Sequence, residues 1–263
     1  MEKKQALFNY LLRLGDNSAI LGHKLSEWCG HGPELEEDIA IINTALDLLG
    51  HGRSIYTYAG EAEGKGRTED DLAFLRIERD YRNALICELP NGHYGDTIAR
   101  QYLFDQFNYL LFTELEKSTD ETVAAIAAKA IKEIRYHLRR SIEWTLRLGD
   151  GTEESHNKIQ ESFNNLWPYT GDLFVEDESD ALIITDGIGP ELKAIQPIWR
   201  EKVKATLADA TLTIPEDGWM HSGSKQGRHT EHMGHIPSAI IRASLSSSTK
   251  RSPVYGQRLL NDS

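Results

Sequence analysis

The stretch KAIKEIRYHLRRS, residues 129–141, sets Glu133 four residues ahead of His137 on what reads as one helix, and Asp47 precedes His51 in the same way further upstream. Carboxylates and imidazoles on facing helices are the donors of di-iron carboxylate bundles, which take a lone acid from each of two helices and a Glu-x-x-His pair from each of the other two. Lone acids are available. Glu27 stands near the end of the first helical segment, with His23 as its alternative, and Asp105 stands on the fourth, with Gln101 one turn before it. The order along the chain is that of a di-metal site, but the spacing is not. Gly50 and Tyr136 occupy the places three residues after Asp47 and Glu133, and the histidines come one place later. Such a slip turns a side chain by about 100° round the helix axis.

An i,i+4 pair can still share a metal, as the His-Glu-x-x-His helices of zinc proteases do. Glu27, Asp47, His51, Asp105, Glu133 and His137 are therefore candidate ligands of a self-contained di-metal oxidase or oxygenase. The residues favour a different reading, in which they are vestigial positions holding hydrogen bonds and ion pairs, with no metal and no catalytic residue in this chain. A buried carboxylate without a partner is costly, and a neighbouring His, Arg or Tyr removes that cost.

Two further clusters carry charge. His229, His232 and His235 are spaced by three, near Lys225, Arg228 and Glu231. No cysteine joins them, so Lys225, Arg228, His229, Glu231 and His232 read as a contact segment meeting acidic groups of a partner rather than as a zinc site. Lys129, Lys132, Arg135, Arg139, Arg140 and Arg147 could attract the phosphates of a CoA thioester, yet most such rows are solvated helix faces, and there is no Gly-rich phosphate loop. Cys29 and Cys87 are the only cysteines, which excludes a disulfide framework and suits a reducing cytosol.

Apolar residues recur at three- and four-residue spacing through most of the first 210 positions. The pattern predicts helices over about 4–28, from Pro33 to Gly64, from a Thr68 cap to about Leu89, and from about Gly95 to Ser118. Further helices follow from Asp120 to Gly149 and from Thr152 to Phe174, the latter bent or broken at Pro168 and Gly171, and from Pro190 to about Ala210. Gly50 and Gly52, inside the second helix, are expected to permit close packing. One short strand candidate, Ala181–Thr185, stands alone. The fold class is all-α: a four-helix bundle core with additional helices over residues 1–212, then an extended segment with a mobile tail over 213–263, the bundle not needing residues from Gly223 onward to fold.

The chain has 263 residues, 40% of them hydrophobic and 27% charged, with a formal charge of −12. That balance argues against a nucleic-acid binder or a polybasic membrane anchor. No run approaches the ~20 apolar residues of a membrane span, and the start of the sequence lacks a secretory signal, so a cytoplasmic protein is expected.

Several blocks resemble a known family: LSEWCGH at 25–31, LDLLG at 46–50, ERDYRN at 78–83, LPNGHYGDTIARQY at 89–102, AAIAAKAIKEIRYHLRRS at 124–141 and KQGRHTEH at 225–232. They are similar to the PaaC-type subunit of the multicomponent phenylacetyl-CoA epoxidase, over nearly the whole chain to about residue 240. The resemblance implies a ferritin-like fold and a non-catalytic role. It also implies pairing with a homologous catalytic subunit that holds the di-iron centre, alongside other epoxidase components; whether the isolated chain forms a homodimer stays open.

Overall fold

The structure, a computed structural model, describes residues 1–234. Two helical hairpins form its body. α1 (Lys3–Ser26) and α2 (Leu35–Glu63) make the first, α4 (Tyr94–Leu115) and α5 (Glu121–Gly149) the second, and α2 packs against α5. Short connections make each pair antiparallel. The first is tied by Asp38, whose carboxylate accepts the Gly30 and Gly32 amides at 3.0 and 3.1 Å. In the second, Asp120 caps α5 by accepting the Thr122 and Val123 amides. α1 and α2 approach closely because Gly15 lies under the Tyr56 ring, where a Cβ would sit 2.6 Å from Cε1. α4 is buried continuously from Thr97 to Asn108. It is covered by α5, α6 (Glu153–Leu166) and α8 (Leu192–Asp209), so its sequence is apolar on several faces rather than striped.

Three expectations are corrected. The third helix does not reach Leu89: α3 covers only Glu69–Phe74, and the chain then runs extended through single turns at Glu78–Asp80 and Leu85–Glu88. Acids and amides from elsewhere capture its backbone. Asp16, fully buried in α1, accepts Arg82 N–H at 2.7 Å, Asn17 Oδ1 accepts Ala84 N–H at 2.6 Å, and Asp172 accepts Leu85 N–H at 3.1 Å. With these amides satisfied by side chains, a helix gains nothing there.

The strand candidate Ala181–Thr185 is the second half of α7 (Glu178–Thr185), which packs on α1. The capping box between Asp177 and Asp180 starts it, and a lone strand would have had no neighbour for its amides. Among the described residues there is no strand.

The segment after Thr213 is fastened to the body as far as it is described. Asp217 accepts from Trp167 Nε1 at 3.0 Å and pairs with Arg200, His221 stacks on Tyr169 at 4.1 Å, Asp172 accepts the Gly223 amide, and Met233 is fully buried. The bundle does use residues beyond Gly223, because without them the buried acids Glu88, Asp172 and Asp180 lose partners. The remainder of the expected tail, from 235, lies outside the described residues. No helix among the described residues is long and apolar enough to cross a membrane.

Asp16 joins most of these pieces. It pairs with the Arg76 guanidinium, accepts from Tyr56 Oη at 2.5 Å and holds Arg82 N–H. Asp16→Asn leaves the buried Arg76 charge uncompensated, and the expected loss is about 3–5 kcal/mol, read from the shift of the urea unfolding midpoint. A loss below about 1 kcal/mol, the range of an exposed pair, would contradict this assignment.

Candidate functional site

The acid–histidine pairs of α2 and α5 meet across the middle of the bundle, and they exchange partners. His51 Nε2–H donates to Glu133 Oε2 at 2.6 Å, and His137 Nε2–H donates to Asp47 Oδ2 at 3.0 Å. Each imidazole thus takes its carboxylate from the opposite helix. The rings are buried, with centroids 6.4 Å apart, while the Asp47 and Glu133 side chains lie at the rim, 34% and 45% exposed. Burial pushes the His51 pKa below its ordinary value, against the pull of Glu133. Its Nδ1 is buried without a hydrogen-bond partner, so the neutral ring with its proton on Nε2 satisfies the site best.

Asp105, buried on α4, accepts from Ser141 Oγ at 2.9 Å and from Gln101 Nε2 at 3.2 Å. Burial pushes its carboxyl up to about 6, with His137, Ser141 and Arg140 pulling the other way. Glu27 does not join this group. It lies exposed at the end of α1, meeting Lys24 Nζ at 3.1 Å and Asn91 Nδ2 at 3.2 Å.

The structure changes the register in which the motif has to be read. Gly50 and Tyr136 both face outward, so histidines there would point to solvent. His51 and His137 already occupy inward positions. Counting back three residues from each gives Leu48 and Ile134, both buried. Where a Glu-x-x-His pair has its glutamate, this chain has hydrocarbon. The signal was present in the sequence: both aliphatics share the apolar face of their helices with the histidines, whereas Asp47 and Glu133 sit one position round.

A di-metal centre does not fit these residues. Two of the six donors are replaced by alkyl groups, the rim carboxylates are bonded to the histidines, and Asp105 is held by a hydroxyl and an amide. The Arg140 guanidinium lines the same small cavity as Asp105 and His137, where it opposes a dication. Among the described residues no group of three or more His, Cys, Asp or Glu side chains is arranged to hold a metal ion. The pairs are suited to crosslinking two helices. Over them lies a groove of about 360 Å³, walled by Leu46, Gly50 and Ser54 of α2 and by Ile126, Lys129 and Ala130 of α5.

Residues 1–254 match the family described as phenylacetic acid catabolic protein. The chain belongs to this family. It is 49% identical over 225 residues to a 1,2-phenylacetyl-CoA epoxidase component of Escherichia coli (strain K12), the one lettered C, in a match covering 86% of this chain and 90% of that one. It is also 23% identical over 140 residues to the component lettered A of the epoxidase of the same organism, covering 53% of this chain and 44% of that one. The all-α, ferritin-like bundle agrees with membership of the phenylacetic acid catabolic family.

In this member of the family the basic row of α5 is divided. Arg140 turns inward to Glu37, which also accepts from Tyr94 Oη at 2.7 Å, while Lys129, Lys132, Arg135 and Arg139 are exposed. The C-terminal residues divide too. Lys225 and His229 meet acids of this chain: Lys225 Nζ lies 2.6 Å from Asp180, and His229 Nδ1 lies 2.8 Å from buried Glu88. Arg228 and Glu231 remain exposed, His232 lies 4.0 Å from Glu231, and His235 is outside the described residues.

Both ring nitrogens of His229 face acceptors, since Nε2 lies 3.1 Å from the Tyr81 carbonyl, and only the imidazolium donates to both. Burial pulls its pKa down, but the hydrogen bond and charge of Glu88 outweigh that and raise it above 6.5. A histidine raised on folding contributes stability in full below the unfolded value, and loses it as pH rises through the folded value. The penalty of His229→Gln is therefore expected to be largest near pH 6, about 1–3 kcal/mol, and to shrink as pH rises. Melting curves across pH check this, and a penalty that grows with pH would contradict it.

Proposed function

We propose that this chain is the structural subunit of a phenylacetyl-CoA epoxidase, binding and supporting a homologous catalytic subunit in aerobic phenylacetate degradation. The observation that carries the reading is the pair Leu48 and Ile134, which puts hydrocarbon where the metal-bridging acids of a di-iron bundle stand. The relatives support it from another side: two chains of one organism, both similar to this one, are named as components of the same epoxidase. The likeness to the component lettered C is the stronger and spans most of both chains. On this reading the di-iron centre belongs to the homologous subunit, this chain carries no cofactor, and a CoA-thioester substrate places the complex in the cytoplasm. A self-contained di-metal oxidase would need donors at the two positions that are aliphatic.

Substitution at Glu133 separates the two. Glu133→Gln keeps an acceptor for His51 Nε2–H, whereas Glu133→Ala strands that donor at a cost of about 1–3 kcal/mol. In epoxidase reconstituted from all its subunits, both variants are expected to turn over at close to the wild-type rate per assembled complex, with only the Ala variant clearly lowered in melting temperature. Glu133→Gln with normal melting and abolished turnover would show that the carboxylate acts in chemistry.

A further inference from the structure

The groove over the His51–Glu133 pair is loosely walled: at Gly50, expected to permit close packing, a Cβ would meet nothing within 4 Å, whereas at Gly52 it would lie 3.4 Å from α1. A second cavity, of about 40 Å³, shares no residue with that groove. It lies where α1, α7 and the C-terminal segment meet, over an apolar floor of Leu14, Phe107 and Leu111. The rest of its wall carries buried charge.

Arg13 and Tyr10, from α1, are 6% and 5% exposed. The Arg13 guanidinium donates to Asp177 through Nη2, and its Nη1 lies 2.9 Å from Asp180 Oδ2. Even so, Nη1 and Nε make no hydrogen bond, and neither does the Tyr10 hydroxyl. Lys225 Nζ donates to the same Asp180 oxygen at 2.6 Å, and the other protons of the ammonium have no acceptor among the described residues. That oxygen also takes the Asp177 amide at 2.8 Å. Asp172, the other carboxylate in the wall, is held by the amides of Leu85, Gly223 and Ser224. A third cation in the wall, Arg82, donates to the carbonyls of Arg79 and Tyr81 and pairs with no carboxylate among the described residues. Burial pulls the Lys225 pKa below its ordinary value; Asp180 pulls it back, and the like charge of Arg13 pushes it down again.

Donors therefore outnumber the acceptors that face them, and a buried donor left unmade is costly, most of all on a charged group. A water would accept two of these bonds and bring two protons that need acceptors of their own. An anion accepts from every side. We propose that this cavity binds one small monovalent anion, of the size of chloride or formate, held by Arg13, Lys225 and the Tyr10 hydroxyl. Space for roughly three waters takes an ion of that size and excludes an aromatic acid or a CoA phosphate. Because Arg13 and Tyr10 come from α1 and Lys225 from the C-terminal segment, the bound anion fastens one to the other.

The test follows the melting temperature of the full chain as chloride or formate replaces gluconate, which is too large to enter, at constant ionic strength. The wild-type value is expected to rise by about 2–4 °C for each tenfold increase in the small anion once the site is filling. Tyr10→Phe removes a hydroxyl that has no partner in the protein, so it melts at or above wild type in gluconate, yet gains less than half the wild-type increment in chloride. Lys225→Gln still donates to Asp180 and gains nothing from chloride. In crystals grown with bromide, an anomalous peak is expected between Arg13 and Lys225. A response to formate without one to chloride keeps the site and makes its ligand a carboxylate. Equal melting of wild type in all three anions overturns the proposal, as does the same chloride response in wild type and Tyr10→Phe, which marks a general salt effect. A cavity filled by waters in the bromide crystals overturns it too.

Discussion

Two imidazoles buried on opposing helices have to find acceptors where water does not reach. Their solution organises the middle of this bundle. His51 and His137 take carboxylates from each other's helices, which crosslinks α2 to α5 at two points one turn apart. Because Glu133 and Asp47 reach in from the rim, they stay partly solvated, and the cost of burying a charge is largely avoided. The spacing of the helices then leaves a groove above the pairs, while Leu48 and Ile134 close the interior. A metal centre would demand the reverse arrangement, with acids inside. The crosslinks that hold the two acids at the rim are therefore also the ones that shape the groove beside Gly50.

Elsewhere the fold relies on acids buried one at a time, each tying a non-helical segment to a helix. Asp16 fastens the stretch after α3 to α1 and α2 through Arg76, Tyr56 and Arg82. Glu88 receives Asn83, His229 and the Thr230 amide, and Asp172 receives amides from Leu85 and Gly223. Asp180 pairs with both Arg13 and Lys225. These contacts hold the C-terminal segment against the middle of α1 and the start of α7. Among the C-terminal residues with a candidate contact role, Arg228 and Glu231 keep exposed charges.

The long helices were legible because their signals are local. Asp120 and Thr152 announced two starts, glycines and prolines announced stops, and the apolar period filled the interior. The extended chain after α3 was not legible, because the groups that unwind it sit on α1 and beyond α6, far away in sequence. The strand-like Ala181–Thr185 shows the same limit from the other side, since β-branched residues form a helix once Asp177 caps it and α1 covers it. At the site, Asp47, His51, Asp105, Glu133 and His137 are brought together while Glu27 stands apart, and neither the exchange of partners between α2 and α5 nor the register could be read. Anchoring the motif on the acids pointed to Gly50 and Tyr136. Anchoring it on the histidines points to Leu48 and Ile134, and burial decides between the two.

A bundle that buries two histidines beside Leu48 and Ile134, with no acid at either aliphatic position, suits a support for a related chain better than a metal carrier. The measurement that bears most directly on this is the location of iron in the assembled complex. Native mass spectrometry of the complex with the homologous subunit, followed by gas-phase dissociation, reports the metal carried by each chain. Iron is expected on the homologous subunit, with this chain released at its bare sequence mass. Iron retained by this chain, in an amount approaching two ions, would contradict the structural role.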